Sequence, residues 1–165
     1  MTLHLCLVRH GIAGDADPRR WPDDRLRPLT DEGLAKMREA ARGLAEIFSA
    51  SAIISSPLVR ARQTAEVLME AFEIEDIHLS DALASGDDAQ LLVDIEVLGA
   101  SKVFAVGHEP HMSRTLSNLL TGDPDLMSSM FKKGAAALVS FHGPVLPGQA
   151  ALEWLLQPAA LRGLK

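Results

Sequence analysis

Short apolar runs and longer helical repeats alternate along this chain. A short apolar run bounded by polar residues or turn signals is typical of a strand buried in a sheet. Five such runs occur, at residues 3–8, 52–55, 102–106, 135–141 and 150–157. The last two are separated by Gly143-Pro144 and Pro147-Gly148, which predicts a hairpin.

Between the runs, apolar side chains recur every three or four residues, a spacing that predicts amphipathic helices. The repeats cover residues 34–48, 58–72, 91–98 and 112–120. Thr30 suits the N-cap of the first helix, and Ser56-Pro57 predicts a cap and a first-turn proline for the second. Asp87 or Asp88 opens the third.

Strands and helices in this order predict an α/β fold, a three-layer α/β/α sandwich with a mostly parallel central sheet. Residues 12–29 and 78–86 lack a repeat and are expected to be irregular. The length of 165 residues suits one domain, so we expect residues 1–165 to form a single domain. Ligands of such folds bind at the carboxyl ends of the strands, which locates the expected site.

Composition excludes several classes of protein. Hydrophobic residues make up 47% of the chain and charged residues 23%, as in globular proteins, so disorder is not expected. The net charge of −6 disfavours binding to nucleic acid. Cys6 is the single cysteine and is expected to be buried and inert. No signal sequence or membrane-spanning run is evident, which predicts a soluble, cytoplasmic protein with no membrane partner.

Cationic and imidazole side chains follow three of the predicted strands. Arg9 and His10 follow the first, Arg60 lies shortly after the second, and His108 follows the third. Because such strand ends converge in a parallel sheet, these four residues are expected to form an anion pocket. Guanidinium groups match the oxygens of a phosphoryl group, and a neutral imidazole is a competent nucleophile. No Asp-rich or Cys-rich ligand cluster accompanies them, so neither a metal ion nor a cofactor is expected.

Several other polar residues are weighed against this pocket. His111 and the loop around Trp21 are candidate substrate contacts, although Trp21 fits a small hydrophobic cluster under its loop better. Arg62 and the pair Lys132-Lys133 are expected to be solvated surface charges.

Three sequence motifs resemble those of the histidine phosphatase superfamily, whose fold is called phosphoglycerate-mutase-like. They are Leu7-Val8-Arg9-His10-Gly11, Ser55-Ser56-Pro57 with Arg60-Ala61-Arg62-Gln63-Thr64, and Val106-Gly107-His108-Glu109-Pro110. Arg27-Pro28-Leu29-Thr30 is a fourth match, and the resemblance extends over essentially the whole chain. The small size and the motif around His108 resemble the SixA-type phosphohistidine phosphatase branch.

This resemblance implies a role for each candidate residue. His10 matches the nucleophile that becomes a phosphohistidine during turnover, and Arg9 and Arg60 match the arginines that hold the phosphate. His108 matches the second histidine, which stabilises the transferring group. Many members also carry a glutamate that protonates the leaving oxygen. Here that stretch offers only Asp81, Asp87 and Asp88, so the general acid is either one of these or absent.

The expected function is hydrolysis of phosphohistidine in a protein substrate through a covalent phosphohistidine on His10, without a metal ion or other cofactor. A phosphoramidate nitrogen can carry its own proton, so a missing acid costs less for this substrate than for an alkyl ester. Two alternatives stay open within the resemblance. One is a broad-specificity phosphatase of small molecules, or a mutase, and the other is an idle member that only binds phosphoproteins. The sequence does not predict the oligomeric state.

Overall fold

Six strands form one sheet in the computed structural model, which describes residues 1–164. They are β1 (Leu3–Arg9), β2 (Ala52–Ser55), β3 (Ile77–Leu79), β4 (Lys102–Gly107), β5 (Ala136–Phe141) and β6 (Ala151–Leu156). Their order across the sheet is β3-β2-β4-β1-β5-β6. Neighbours from β3 to β1 pair in parallel, whereas β5 is antiparallel to both β1 and β6. The predicted mostly parallel sheet and the terminal hairpin are both confirmed.

Helices cover the two faces of this sheet. They are α1 (Asp31–Ile47), α2 (Val59–Phe72), α3 (Ala82–Ser85), α4 (Asp88–Leu98), α5 (His111–Thr121) and α6 (Pro158–Arg162). Strand β1 shows how the layers form: Leu5 and Leu7 pack with α3, α4 and α5, whereas Cys6 and Val8 pack with α1, α2 and α6. Alternate side chains of a strand point to opposite faces, so one apolar run serves two cores. The predicted three-layer α/β/α fold is confirmed.

Local capping explains where two of the helices begin. The Thr30 hydroxyl accepts a hydrogen bond from the Gly33 backbone N–H at 2.9 Å, as predicted, and Asp31 and Glu32 lie in the first turn, where acidic side chains favour a helix. Asp87 caps α4 in the same way through the Gln90 N–H.

The start of α2 differs from the prediction. The helix begins at Val59 with Leu58 at the N-cap position, and no side chain caps it. The Ser56 hydroxyl instead contacts His108, so tertiary structure uses a group that local sequence assigns to a cap.

Residues 78–86 are more regular than predicted. They contain most of the edge strand β3 and the single-turn helix α3. Strand β3 has three residues, of which His78 and Leu79 are exposed, so it lacks the apolar run that marks a buried strand. Helix α3 is too short to show a helical repeat.

The sheet topology places β1 between β4 and β5, and β4 between β1 and β2. The carboxyl ends of β1, β2 and β4 therefore lie side by side. Cys6 is fully buried on β1, as predicted, and burial raises the pKa of its thiol. Within residues 1–164, no helix has the length and apolar character needed to cross a membrane.

Candidate active site

The ends of β1 and β4 bring His10 and His108 into contact. Arg9 pairs with Gly107 in the sheet, and the His10 backbone N–H donates to the Gly107 carbonyl at 3.0 Å. The two imidazole rings then lie with their centroids 5.2 Å apart and their planes tilted by 52°. Both residues are buried, each with 6% of its surface exposed.

Arg9 and Arg60 complete a cationic site around these rings. Arg9 is half-buried at the end of β1, where its Nη1 donates to the Phe131 carbonyl at 2.7 Å. Arg60 lies in the first turn of α2 with 8% of its surface exposed. Both guanidinium charges are close enough to lower the pKa of each histidine. The four residues that the sequence analysis selected are therefore together in the structure.

The backbone around His10 is fixed by contacts from three directions. The Gly11 N–H donates to Thr64 Oγ1 at 3.0 Å, and that hydroxyl donates to the Arg60 carbonyl at 2.8 Å, which links the loop after β1 to α2. The Gly134 N–H donates to the Arg9 and His10 carbonyls. On the third side, Gly33 approaches so closely that a Cβ there would lie 2.0 Å from the Ile12 carbonyl oxygen. Only glycine permits this approach of α1 to the loop.

Hydrogen bonding determines which nitrogen of His10 is free to react. Nδ1 lies 2.7 Å from the Gly11 carbonyl oxygen, which can only accept, so we assign the proton to Nδ1. Nε2 then carries the lone pair. Burial is the largest of the effects that lower the pKa of His10 to about 4; the hydrogen bond to Gly11 opposes it, and the charges of Arg60, Arg9 and Lys133 add to it. The ring is therefore neutral at neutral pH, as a nucleophile requires.

His108 is held by the serine that follows β2. Its Nε2 lies 2.7 Å from Ser56 Oγ, which also accepts a hydrogen bond from the Leu58 N–H at 3.3 Å. Burial, followed by the charges of His10 and Arg60, lowers the pKa of His108 to about 3. Ser56 is fully buried, so this hydrogen bond fixes the ring without help from solvent.

Three nitrogen atoms at this site are buried and lack a hydrogen-bond partner within residues 1–164. They are Arg9 Nε, Arg60 Nε and His108 Nδ1. Buried polar groups are almost always paired, because an unpaired one costs about 1–3 kcal/mol. Nitrogens of two guanidiniums and an imidazole, gathered around His10, suit an anion with several acceptor oxygens, such as a phosphoryl group.

The depressed histidine pKa values predict how stability depends on pH. In the unfolded chain both rings take up a proton near pH 6.5, whereas in the folded protein they do so only near pH 4 and 3. Between these limits the unfolded state binds more protons, so the free energy of unfolding must decrease as the pH falls. We expect a loss of about 4 kcal/mol between pH 7 and pH 5, roughly 2 kcal/mol from each ring, measured by urea unfolding. A His10→Asn, His108→Asn variant that kept the full pH dependence would contradict this assignment.

Asp24 is a site residue that the sequence analysis missed. It lies in a short 3-10 helix, Asp24–Leu26, within the loop predicted at 12–29. Its carboxylate contacts Arg60 Nη2 at 3.2 Å and Arg27 Nε at 2.8 Å, and its carbonyl accepts from Arg60 Nη1 at 2.9 Å. Only the motif match at Arg27 pointed to this loop, because a single aspartate among scattered charges gives no periodic signal.

The aspartates considered as general acids are engaged elsewhere or exposed. Asp87 caps α4, and Asp88 accepts hydrogen bonds from Thr115 and Asn118 of α5. Asp81 is exposed at the start of α3. None of their hydrogen bonds within residues 1–164 is to His10 or His108.

Two other candidate residues, His111 and Lys133, act on the charge of the site histidines. His111 lies beside Gly86, and its charge contributes to the low pKa of His108, which places it near the site. Lys133 is exposed, as expected for a solvated loop, but its charge also lowers the pKa of His10.

Arg62 points to solvent and pairs with Glu66. Trp21 is partly buried and belongs to neither core cluster, and the Arg20 guanidinium lies 5.5 Å from the centre of its ring. Within residues 1–164, no three His, Cys, Asp or Glu side chains are grouped so that they could hold a metal ion.

Comparison with known proteins identifies the family. The family model of the histidine phosphatase superfamily (branch 1) matches residues 5–86. The solved structure of the protein histidine phosphatase SixA in complex with tungstate has a TM-score of 0.80 and 25% sequence identity, and the match covers 96% of this chain and 99% of that one. The chain belongs to the histidine phosphatase superfamily. Within the superfamily, the chain groups with the SixA-type branch.

Two further relatives show how wide the family is. An uncharacterized protein of Picosynechococcus sp. is 32% identical over 143 residues, which cover 84% of this histidine phosphatase and 86% of the relative. The alpha-ribazole phosphatase of Shigella flexneri shares the fold, with a TM-score of 0.76 at 15% identity over 99% of this chain and 98% of that one. The structural neighbours therefore include phosphatases of protein phosphohistidine and of small molecules.

Proposed function

We propose that this histidine phosphatase hydrolyses phosphohistidine in a protein substrate through a covalent phosphohistidine on His10. The observation that carries the proposal is the neutral ring of the buried His10, whose Nε2 carries the lone pair, together with the unpartnered nitrogens Arg9 Nε, Arg60 Nε and His108 Nδ1. Arg9, Arg60 and His108 hold the phosphoryl oxygens, so the positive charge comes from side chains and no metal ion is needed. Residues 1–165 serve as one catalytic domain.

In the first step, the lone pair of Nε2 attacks phosphorus in line with the bond to the leaving nitrogen. The new P–Nε2 bond forms as the substrate P–N bond breaks, and a substrate ring protonated on its other nitrogen leaves as neutral imidazole. The His10 ring then bears a positive charge, while Nδ1 keeps its proton and its hydrogen bond to Gly11. Arg9 and Arg60 offset the charge on the equatorial oxygens.

In the second step, water attacks the phosphorus of the phosphoenzyme. The P–Nε2 bond breaks, its electron pair returns to Nε2, and both protons of the water remain on the released phosphate. The covalent intermediate thus replaces one difficult displacement at phosphorus by two easier ones. The buried rings keep their geometry in both halves because backbone and serine contacts hold them.

The contacts of the acidic side chains support a phosphoramidate substrate over an alkyl ester. An alkoxide leaving group needs a proton donor, which is worth about 10²–10⁴-fold in rate. Asp87 and Asp88 are committed to helix contacts, whereas the imidazole of phosphohistidine can carry a proton on its other nitrogen and leave as a neutral ring.

A substrate panel tests this proposal. We expect kcat/KM for a phosphohistidine peptide to exceed that for phosphoserine peptide, sugar phosphates and phosphoglycerates by roughly 10²-fold, the lower bound of general-acid catalysis that only the esters need. Phosphate release measured under matched conditions gives the comparison. A small phosphate ester with the highest kcat/KM would instead favour a small-molecule phosphatase, and no turnover of any substrate would favour a phosphoprotein-binding role.

A further inference from the structure

A groove lies on the surface beside the loop that carries His10. It has a volume of about 470 Å³, within the range typical of ligand sites. One wall is α1, and the other is formed by residues 132–134 and the start of α6. His10 is not part of its lining, but Arg9 and Gly11 on either side of it are, and the charges of Arg9 and Lys133 in the lining lower the pKa of His10. The groove is therefore close enough to His10 for a substrate bound there to reach it.

The groove is strongly cationic in a protein that is acidic overall. Its described lining contains five basic residues and no carboxylate. The basic residues are Arg9, Lys36, Lys132, Lys133 and Arg162. Five of the 16 lysine and arginine residues thus line one groove of a chain whose net charge is −6. Such a surface attracts an anionic partner and orients it before contact.

Two exposed carboxylates pair with cations of the groove, and the charge of Glu109, outside the lining, raises the pKa of Arg9. Glu32 pairs with Lys36 at 2.7 Å and Glu39 with Arg162 at 4.0 Å, both from the outer side of α1. Side chains of both glutamates are more than half exposed, and exposed pairs of this kind contribute about 0–1 kcal/mol. A partner carboxylate can therefore compete for Lys36 and Arg162.

The floor of the groove is apolar, and one of its walls is held in place. Ile12, Pro158 and Ala159 contribute accessible apolar surface above the buried Met37 and Ala40, which suits the methylene groups and backbone of a peptide. Gln157 fixes the opposite wall, since its Oε1 accepts from the Lys132 N–H at 3.1 Å and its Nε2 donates to the Met130 carbonyl at 2.7 Å. A held wall reduces the ordering cost of binding.

We propose that this groove binds an acidic segment of the protein that carries the phosphohistidine. The segment's Asp or Glu side chains pair with Lys36, Lys132 and Arg162 while its phosphoryl group occupies the pocket at His10. This inference rests on the proposed function only in that the substrate carries a phosphohistidine. Binding of an acidic segment in the groove does not depend on it. It makes the groove the part of the enzyme that selects among phosphohistidine proteins.

Charge reversal in the groove tests this assignment. The test variant carries both Lys36→Glu and Lys132→Glu. The matched control variant carries both Lys102→Glu and Arg62→Glu, which lie outside the groove, and it has the same net charge as the test variant. Lys102 is exposed at the first residue of β4, the end of the sheet opposite the site. Two phosphohistidine peptides are compared, one with aspartates and glutamates beside the phosphohistidine and one with serines and glycines.

For the wild type, we expect a lower KM with the acidic peptide than with the neutral one. The groove variant should raise the KM of the acidic peptide about tenfold, from two lost pairs of about 0.5–1 kcal/mol each, with a much smaller change for the neutral peptide. The control variant should leave the KM of the acidic peptide and the KM of the neutral peptide unchanged. Equal KM values for the two peptides in the wild type, or equal effects of groove and control variants, would overturn the proposal.

A binding measurement separates this inference from the proposed function. The unphosphorylated acidic peptide, labelled with a fluorophore, is titrated with each variant and followed by anisotropy at low salt. Binding that the groove variant weakens supports the groove even where no phosphohistidine is hydrolysed, in which case the proposed function alone fails. Hydrolysis of phosphohistidine with no groove-dependent binding overturns the groove alone. Groove-dependent binding of inorganic polyphosphate without binding of the acidic peptide also overturns the peptide assignment.

Discussion

Replacing His10 by asparagine is expected to lower kcat/KM by roughly 10⁴-fold or more, the scale seen when a covalent nucleophile is removed. The physical reason is that Nε2 of His10 is the neutral, unbonded nitrogen that forms the bond to phosphorus, and asparagine offers no comparable lone pair. Initial rates with a phosphohistidine peptide, measured at saturating and at low substrate, separate kcat from KM. The loss should lie mostly in kcat.

Binding supplies the control for this variant. Arg9, Arg60 and His108 remain in His10→Asn, so the protein should still bind vanadate, which serves as a phosphate analogue. Binding without turnover shows that the site is folded and that the nucleophile alone is missing. A variant that binds vanadate and keeps near-wild-type kcat would assign the nucleophile to another residue.

Replacing Arg60 by alanine is expected to lower kcat/KM by about 10²–10³-fold, the scale of losing one preorganised donor to a developing oxyanion. Arg60 is 8% exposed, and its Nε has no partner within residues 1–164, so this donor is available to a bound phosphoryl group while Asp24 holds both Nη atoms. Lysine should restore little of the loss, because its single ammonium group lacks the fixed, separate donors of a guanidinium. Vanadate affinity should fall together with kcat/KM.

Arg62 offers a matched control two residues further along α2. Its side chain is 50% exposed and forms a weak pair with Glu66 at 3.8 Å. Arg62→Ala removes the same charge from the same helix, so its kcat/KM should stay within about twofold of the wild type, the scale of an exposed pair. Equal losses in the two variants would mean that Arg60 acts only through the overall charge of α2.

Asp24 contacts Arg60 from the loop between β1 and α1 and competes with substrate for its donors. The carboxylate and carbonyl of Asp24 contact both Nη atoms of Arg60, which leaves Nε for another acceptor. Arg27 pairs with the same carboxylate of Asp24. The Arg27 charge helps to lower the pKa of Arg60, although burial is the larger cause. The cationic site is therefore partly neutralised by its own loop rather than left as bare charge.

The strand ends of the site could be predicted because they depend on local patterns. Residues 3–8 and 102–106 are largely apolar runs, and a histidine lies two residues after the end of each, His10 after Arg9 and His108 after Gly107. Parallel pairing of β1 with β4 then places His10 beside His108, as the rule for ligand sites in such sheets requires. Arg60 follows from the same rule through β2.

The parts that could not be predicted depend on contacts between distant segments. Ser56 meets His108 across 52 residues and Asp24 meets Arg60 across 36, and neither contact leaves a periodic trace. The groove has the same origin, since α1, residues 132–134 and α6 approach one another only in the folded chain. Local sequence therefore predicts that Ser56 caps a helix, although its hydroxyl holds the ring of His108. It likewise predicts that Lys132 and Lys133 are solvated loop charges, and it gives no sign that both line the groove.

Trapping the phosphoenzyme tests the central claim most directly. The wild-type protein is mixed with a phosphohistidine peptide labelled with radioactive phosphate, quenched in alkali within the first turnover, and analysed for label on the protein. We predict label that survives alkali, is lost in acid, maps to His10 and is absent from His10→Asn. Label that is stable in acid, that maps to another residue, or that persists in His10→Asn would contradict a phosphohistidine on His10.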